Sequence, residues 1–527
     1  MITINNIMKY YIVSNFQIGF YKLYDLIIYF KYFIYFIFFL TILSFNIIYY
    51  KIFNKYNNKL IYLLYESIHY NGCILIKFVQ WLYTNIELLE IESNSITDLF
   101  MNFFENCNIH SIKYTKKIFK NDFAIDFDSV IELNSNFQIK SGSIAQVYRC
   151  KLKNSNKLNI NIDDICIKND FAFKIIHPQI KYQIIFPFYF IKLYKFIVTY
   201  IGCFKKYNII FDFDNFFDNL KLQLNMNNEY NNISYYYNEY KDNNAIKIPT
   251  PIISSNNILI MEYVEGESLN DLNISDFEKQ KIISIMNLFC KNNYLFLNYF
   301  HCDLHDSNWK IRKYNDFFQI IIYDFGYTIF NNRQEFYKKL IYYSDLNKMD
   351  KIAEVLYDSI TNHRICRSDF LNDFIKFINY NNCDNKTIIF NVKNLYKYCY
   401  HNNYVLKSNI LEIFISLMLL KKYMDKYIFI SNISSSMLNV LKMNIYYLNI
   451  CKKYDIFYNI QMFINDTYIN NKIFNTCLEY NNNYFDNLDN LNNLDNLDNL
   501  DNLDNLDNLD NLDNNSNTND NIINIDI

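Results

Sequence analysis

Hydrophobic and polar positions along the chain sort into distinct regimes. From Tyr32 to Tyr50 runs an almost wholly apolar and aromatic segment, YFIYFIFFLTILSFNIIYY, bracketed by Lys31 and Lys51. As a helix it reaches roughly 28 Å, about the hydrocarbon thickness of a bilayer, and is expected to be one membrane span. Tyr56 to Phe123 repeats apolar residues at helical spacing, which predicts several helices. Short alternating runs follow, Phe137 to Leu152 and Phe171 to Pro178, separated by a polar insert from Lys153 to Asp170. They predict strands around a wide loop. A second greasy run, Ile184 to Phe204, carries Lys192 and Lys195 mid-segment and reads as a buried or interfacial helix. Asp214 to Asn243 predicts one long helix. Pro249 and Pro251 introduce ILIMEYVEG (Ile258 to Gly266), a strand ending in a glycine turn. From Leu269 to about Leu478 the pattern is mainly helical.

The end of the chain changes character. Asp486 to Leu512 repeats Asp-Asn-Leu with period three. That period matches neither helix nor strand and buries no contiguous face, so residues 479–527 are expected to form a disordered tail.

Composition changes the picture in two places. The balance of 51 basic and 54 acidic side chains, net −3, gives no global basic field for nucleic acid, and no nucleic-acid partner is expected. Glycine is scarce, six in 527 residues, so its positions are informative: Gly142, Gly266 and Gly326 all fall inside candidate nucleotide-site motifs. The twelve cysteines form no C-x-x-C pair and suggest neither a zinc ribbon nor a disulfide scaffold. Cys302 reads as a small core side chain rather than a nucleophile.

The chemistry concentrates in HCDLHDSN (His301 to Asn308) and YDFG (Tyr323 to Gly326). Phosphoryl transfer needs a carboxylate near the acceptor and oxygen ligands for magnesium. Asp303, then Asn308, then Asp324 keep the order and Asp-to-Asn spacing of H-R-D-x-x-x-x-N and D-F-G. Asp303 is the candidate base. Asn308 and Asp324 are candidate ligands for Mg2+, a hard cation that prefers oxygen. Upstream, Ser141-Gly142-Ser143 forms a small-residue turn between strands that can bring backbone N–H groups to ATP phosphates. Lys174, in FAFKI, sits on a strand where an ammonium needs a partner, and Glu229 is the candidate. Met261 is expected at the back of an adenine pocket, with hinge backbone contacts from Glu262 to Val264. His301 and His305 are expected to be structural rather than a zinc pair.

These strings resemble the UbiB/ADCK-type atypical protein kinase-like family. SGSIAQVYR is similar to its small-residue loop, FAFKIIHP to its lysine strand, HCDLHDSN to its catalytic loop, and LQLNMNNEYNN to the helix carrying glutamate. ILIKFVQWLYTNIELL (Ile74 to Leu89) resembles the K-x-G-Q extension, with Lys77 and Gln80 in place. Together they run from Cys73 to Thr328 and are more similar to the ADCK2-type branch than to the coenzyme Q branch. Val79 stands for the motif's glycine, which puts close packing over the pocket in doubt, and Asp306-Ser307 stand for Pro-Gly. The resemblance implies an α+β, two-lobed kinase-like fold with a helical extension (56–125), an N-lobe (126–266) and a helical C-lobe (267–478). It also implies Mg-ATP, a membrane lipid or lipid-like partner, mitochondrial membrane localisation, and kinase or ATPase work in coenzyme Q or lipid homeostasis, with the extension covering the protein-substrate site. Two other readings stay open: a soluble phosphotransferase of choline or aminoglycoside kinase type, and a nucleotide-binding scaffold without catalysis.

Overall fold

A computed structural model describes residues 2–88, 107–134, 139–153, 155–158, 170–200, 213–295, 297–314, 317–332, 348–360 and 366–380, with isolated positions near 336–339 and 398–410. The expected repeat tail and the C-lobe beyond 410 lie outside the described residues.

Six strands form the N-terminal lobe's sheet: β1 (Ile131–Leu133), β2 (Lys140–Ser141), β3 (Ala145–Leu152), β4 (Phe171–Ile176), β6 (Pro251–Ser254) and β7 (Ile258–Glu262), while β5 (Ile246–Lys247) pairs elsewhere. Their order is β1-β3-β4-β7-β6, with β2 on β3, and all these pairings are antiparallel. Every residue of β4 is buried, as its continuous apolar run requires. Alternation then sorts its faces. Phe171, Phe173 and Ile175 join Phe119, Phe127, Tyr148, Ile258 and Ile260 in the lobe's core. Lys174, one residue out of phase, projects from the opposite face.

The extension comprises α1 (Ile2–Phe53), α2 (Asn58–Asn71), α3 (Cys73–Leu88) and α4 (Ile112–Phe123). The apolar stretch of α1 is longer than expected: Leu23–Phe53, mean hydropathy 2.2, is long and apolar enough to cross a membrane. The turn between α2 and α3 depends on Gly72, at φ +85°, where a Cβ would lie 2.4 Å from Gln183 Oε1. Gln183 itself accepts the Cys73 amide hydrogen at 2.8 Å, so the turn and α5 (Ile180–Gln183) are locked together. The second greasy run becomes α6 (Ile185–Tyr200).

Two expectations are corrected. The predicted long helix is two, α7 (Phe213–Gln223) and α8 (Met226–Tyr240). Asn225 is extended (φ −128°, ψ 109°) and its side chain accepts the Asn227 amide hydrogen at 3.0 Å, an N-cap that restarts the chain in a new direction. Helical periodicity on both sides hid the break. The region after α9 (Asp276–Leu295) is also less helical than expected. Between the catalytic segments lies an antiparallel hairpin, β9 (Trp309–Tyr314) with β10 (Phe317–Ile322); β10 also pairs with β5, and β8 (Tyr299–His301) with β11 (Thr328–Phe330). Helices α10 (Met349–Asp358) and α11 (Arg367–Tyr380) follow.

Gly266 marks the crossing between lobes. A Cβ there would meet Ile321 Cδ1 at 2.8 Å and Lys310 Cβ at 2.9 Å, and neighbouring Glu267 exchanges backbone hydrogen bonds with Ile311. The connection therefore lies directly against the β9–β10 hairpin that bears the catalytic segments at its ends.

Candidate active site

The structure brings Lys174, Glu229 and Asp324 together from β4, α8 and the turn after β10. Lys174 Nζ is 2.7 Å from Glu229 Oε1 and 3.0 Å from Asp324 Oδ2. Glu229 is 2% exposed. Burial pushes its carboxyl up, to about 7, with Asp324 adding to the rise and Lys174 opposing it. Burial pulls the Lys174 ammonium down, but Asp324 and Glu229 together outweigh this and hold it well above its ordinary range. For Asp324 burial acts upward, yet Lys174, the Gly326 N–H at 2.9 Å and Lys77 keep it well below the usual carboxylate range. One ammonium thus serves two carboxylates, and the excess negative charge sits on Asp324, the more exposed of the two.

The catalytic loop is fixed by its histidine. The buried His301 ring shares its Nε2 proton with the Asp324 carbonyl, which can only accept, so Nδ1 is left to accept the Asp303 amide hydrogen at 3.2 Å. Burial lowers the imidazole's pKa and keeps it neutral. Both ring nitrogens of His301 are thus taken up by backbone groups of the two motifs. Cys302 is buried and its thiol faces the Phe300 carbonyl. Asn308 donates from Nδ2 to the Asp303 carbonyl at 2.7 Å, which orients its side-chain oxygen as the remaining donor. Phe325, fully buried, packs against Tyr236 (4.9 Å between centroids) and His301 (5.2 Å), while Asn232 holds its carbonyl at 3.0 Å. These contacts from α8 keep Asp324 turned toward Lys174. Nothing in the spacing of Tyr236 or Asn232 announced that role; both lie on the face of the helix that carries Glu229.

Asp303 is reached from the extension. Lys77 Nζ sits 2.9 Å from Asp303 Oδ2, and His305 Nε2 lies 3.6 Å from Oδ1. Burial would raise the Asp303 carboxyl, but Lys77 and His305 bring it below its usual range. The doubt raised by Val79 is answered by geometry. Two residues apart on a helix, positions 77 and 79 face nearly opposite ways. Val79 packs with Phe36, Ile42, Leu64 and Ile68, on the side toward α1, leaving Lys77 over the site. Gln80, one turn on, is buried. The Asp306 side chain lies outside the described set.

The small-residue loop is held by a directional relay that sequence reasoning missed. His177 Nε2 donates to the Gly142 carbonyl at 3.0 Å, so its Nδ1 accepts from His110 Nδ1 at 2.9 Å. His110 Nε2 then accepts from Thr115, whose hydroxyl meets Tyr148 at 2.9 Å. The Ser141 hydroxyl donates to the Asn108 carbonyl at 3.0 Å, so it ties the loop to the extension. Ser143 is buried. Among the described residues a Cβ on Gly142 would meet only the Ala145 carbonyl at 3.7 Å, so none of them demands glycine there. The partners are 67 residues apart in the chain, which is why no local pattern exposes the relay.

At the hinge, Met261 is buried on β7. The Glu262 carboxylate pairs with Lys247 at 2.7 Å and with Thr250, and the Glu262 amide donates to the Thr250 carbonyl. The Val264 carbonyl accepts from Tyr323 at 2.8 Å, whereas the Val264 amide has no hydrogen-bond partner among the described residues.

A strand lysine clamped between a helix glutamate and the aspartate of a D-F-G turn goes with a protein-kinase-like fold. Residues 102–356 match the ABC1 atypical kinase-like domain, which supports the UbiB/ADCK-type atypical kinase-like family for this part of the chain. It is 28% identical over 311 residues to ABC1 family protein MCP2 of Saccharomyces cerevisiae, covering 55% of this chain and 52% of that protein. It is 24% identical over 277 residues to the mitochondrial ABC1 family protein C21C3.03 of Schizosaccharomyces pombe, covering 46% of this chain and 38% of that one. The chain thus spans about half or less of these relatives' length. Among solved structures it is similar to the Rv3197–erythromycin complex from Mycobacterium tuberculosis, at 14% identity, 67% coverage of this chain, 88% of that one, and TM-score 0.40.

Proposed function

We propose that this protein is an Mg-ATP-dependent atypical kinase or ATPase working at a mitochondrial membrane in coenzyme Q or lipid homeostasis. The observation that carries the catalytic part is the Lys174 ammonium held between Glu229 and Asp324. In this reading Lys174 binds the α/β-phosphates, Glu229 holds Lys174 in place, and the Gly142 loop presents backbone N–H groups to phosphate oxygens. The Val264 amide and the Glu262 carbonyl take the adenine edge, with Met261 behind it. The donor set suits magnesium: the Asn308 side-chain oxygen and Asp324 carboxylate are hard ligands, to be completed by phosphate oxygens and water. Bound there, magnesium supplies charge neutralisation of the transferring phosphoryl group.

Lys77 favours a small acceptor or water over a protein hydroxyl. Its ammonium occupies the Asp303 oxygen that a serine or threonine would approach. The same contact speaks against a soluble choline-type phosphotransferase, because it makes the extension part of the site. The mitochondrial element rests on the designations of relatives such as C21C3.03, and the lipid element on the family resemblance alone.

The test is nucleotide binding by the full chain in detergent micelles. Mg-ATP near a hundredfold above its dissociation constant stabilises a single-site binder by about 2.7 kcal/mol, a rise of roughly 2–4 °C in unfolding temperature for a chain this size. Lys174→Met is expected to lose most of that rise. No shift for the parent protein at millimolar Mg-ATP would refute the nucleotide site.

A further inference from the structure

α1 uses its two faces differently along its whole apolar length. Ile28, Tyr32, Phe36 and Ile42 form a buried stripe: the first two pack with Tyr182 of α5, the last two with Leu64 and Ile68 of α2 and Leu75, Ile76 and Val79 of α3. Polar contacts reinforce it: Asn46 Nδ2 donates to the Leu60 carbonyl, and Asn71 Nδ2 to the Tyr35 carbonyl, each at 3.0 Å. Pairing 46 with 60 and 35 with 71 sets α2 antiparallel along α1. The opposite face, with Ile27, Phe30, Ile34, Phe38, Phe45 and Ile48, is 39–63% exposed. α6 continues it: Phe190 packs on Phe36 and Phe186 on Phe33, both with centroids 5.5 Å apart, leaving Tyr189, Leu193 and Phe196 exposed beside them.

The chemistry of that face selects its occupant. From Leu23 to Phe53 its exposed charges are Lys31 and Lys51; the acid in this stretch, Asp25, accepts from Tyr182. The exposed hydroxyls of Thr41 and Ser44 turn back to the carbonyls of Ile37 and Leu40, each at 2.8 Å, and ask nothing of solvent. An apolar, aromatic face with only lysines for charge suits an anionic lipid surface. A crossing helix, in contrast, would carry α2 alongside it to hydrocarbon depth, with Glu66 and His69. It would also bring α3, whose Lys77 sits on Asp303 only six residues beyond Asn71. Glutamate and histidine at that depth are costly.

We infer that α1 and α6 form one membrane-docking face that lies in the plane of an anionic bilayer's interface, rather than α1 spanning it. The inference rests on the membrane-bound reading above and specifies its geometry: the face sinks about 5–10 Å, and the catalytic cleft stays at the surface.

The test adds the full chain to preformed, sealed phosphatidylcholine vesicles with and without phosphatidylserine. Flotation measures binding, and a membrane-impermeant amine reagent followed by peptide mass spectrometry measures sidedness. Expected are flotation enhanced by phosphatidylserine and weakened by salt, and equal labelling of Lys9, Lys22, Lys55 and Lys59 before and after detergent opens the vesicles. Ile34→Glu and Phe196→Glu should each weaken flotation by at least about tenfold without lowering the unfolding temperature. Flotation with the lysines on one side of residues 32–50 labelled only after detergent would overturn the in-plane geometry while leaving membrane binding intact. No flotation, with the chain eluting as a dimer or as a monomer, would overturn the membrane reading itself.

Discussion

Replacing Lys77 by Met keeps the side chain's length and removes the charge 2.9 Å from Asp303. At an effective dielectric of about 20 the pair's attraction is about 6 kcal/mol before desolvation. Both side chains are about four-fifths buried, at 18% and 19% exposed, so desolvation offsets much of that attraction. Removing one partner of a buried pair costs about 3–5 kcal/mol; with His305 still at 3.6 Å, the low end, about 3 kcal/mol, applies. In a chain this size that lowers the unfolding temperature by roughly 3–4 °C. The Asp303 carboxyl should rise toward its ordinary range, since Lys77 is the main group lowering it. Its freed oxygen should then accept a hydroxyl, so phosphate incorporation into the protein itself should increase. The assays are thermal unfolding of the full chain in micelles and intact mass after incubation with Mg-ATP, with Lys77→Arg as the charge-conserving control. An unfolding temperature unchanged within a degree or so, together with no added phosphate, would show that Lys77 does not cap Asp303.

Two more expectations concern the histidine relay. His177→Ala removes the donor to the Gly142 carbonyl and should raise KM for ATP by roughly 5–10-fold, the worth of one backbone hydrogen bond, with a smaller change in kcat. His177→Gln keeps a donor at nearly the same place and should restore KM; equal loss in both variants would reduce the residue to packing. Burial and then His177 hold the His110 imidazole down at about 4. Below its ordinary value of about 6.5 the unfolded chain binds that proton first, so stability falls as pH drops from about 6.5 to 4. With partial exposure discounted, the loss is about 1–2 kcal/mol. Denaturant unfolding of His110→Phe should show that much less acid sensitivity, and an unchanged pH slope would contradict the assignment.

What the chain discloses in one dimension is local. The Asp303–Asn308–Asp324 spacing and the out-of-phase Lys174 in a buried strand are fixed by a few residues each, and the structure pairs Lys174 with both Glu229 and Asp324. Glu229 was legible as a partner even though its helix begins later than expected, because an N-cap at Asn225 changes direction without changing the apolar period. The β9–β10 hairpin was hidden by an alternation too short to separate from a helix turn. The His110–His177 relay and the Lys77–Asp303 contact join residues 67 and 226 apart, so no pattern within a window reveals their distance. Residues 32–50 read as a span from their length and apolarity, which the structure extends to Leu23–Phe53; which face of that helix the protein itself covers is recorded in no composition.

The central claim is that Asp324, beside Lys174, makes this an Mg-ATP enzyme. Phosphate release from ATP by the full chain, with lipid vesicles present, measured beside Asp324→Asn, tests it most directly. The account predicts magnesium-dependent release by the parent and a drop of at least about a hundredfold in the variant, the loss expected when a metal-binding charge is removed from a phosphoryl-transfer site. Retained turnover in Asp324→Asn would contradict it.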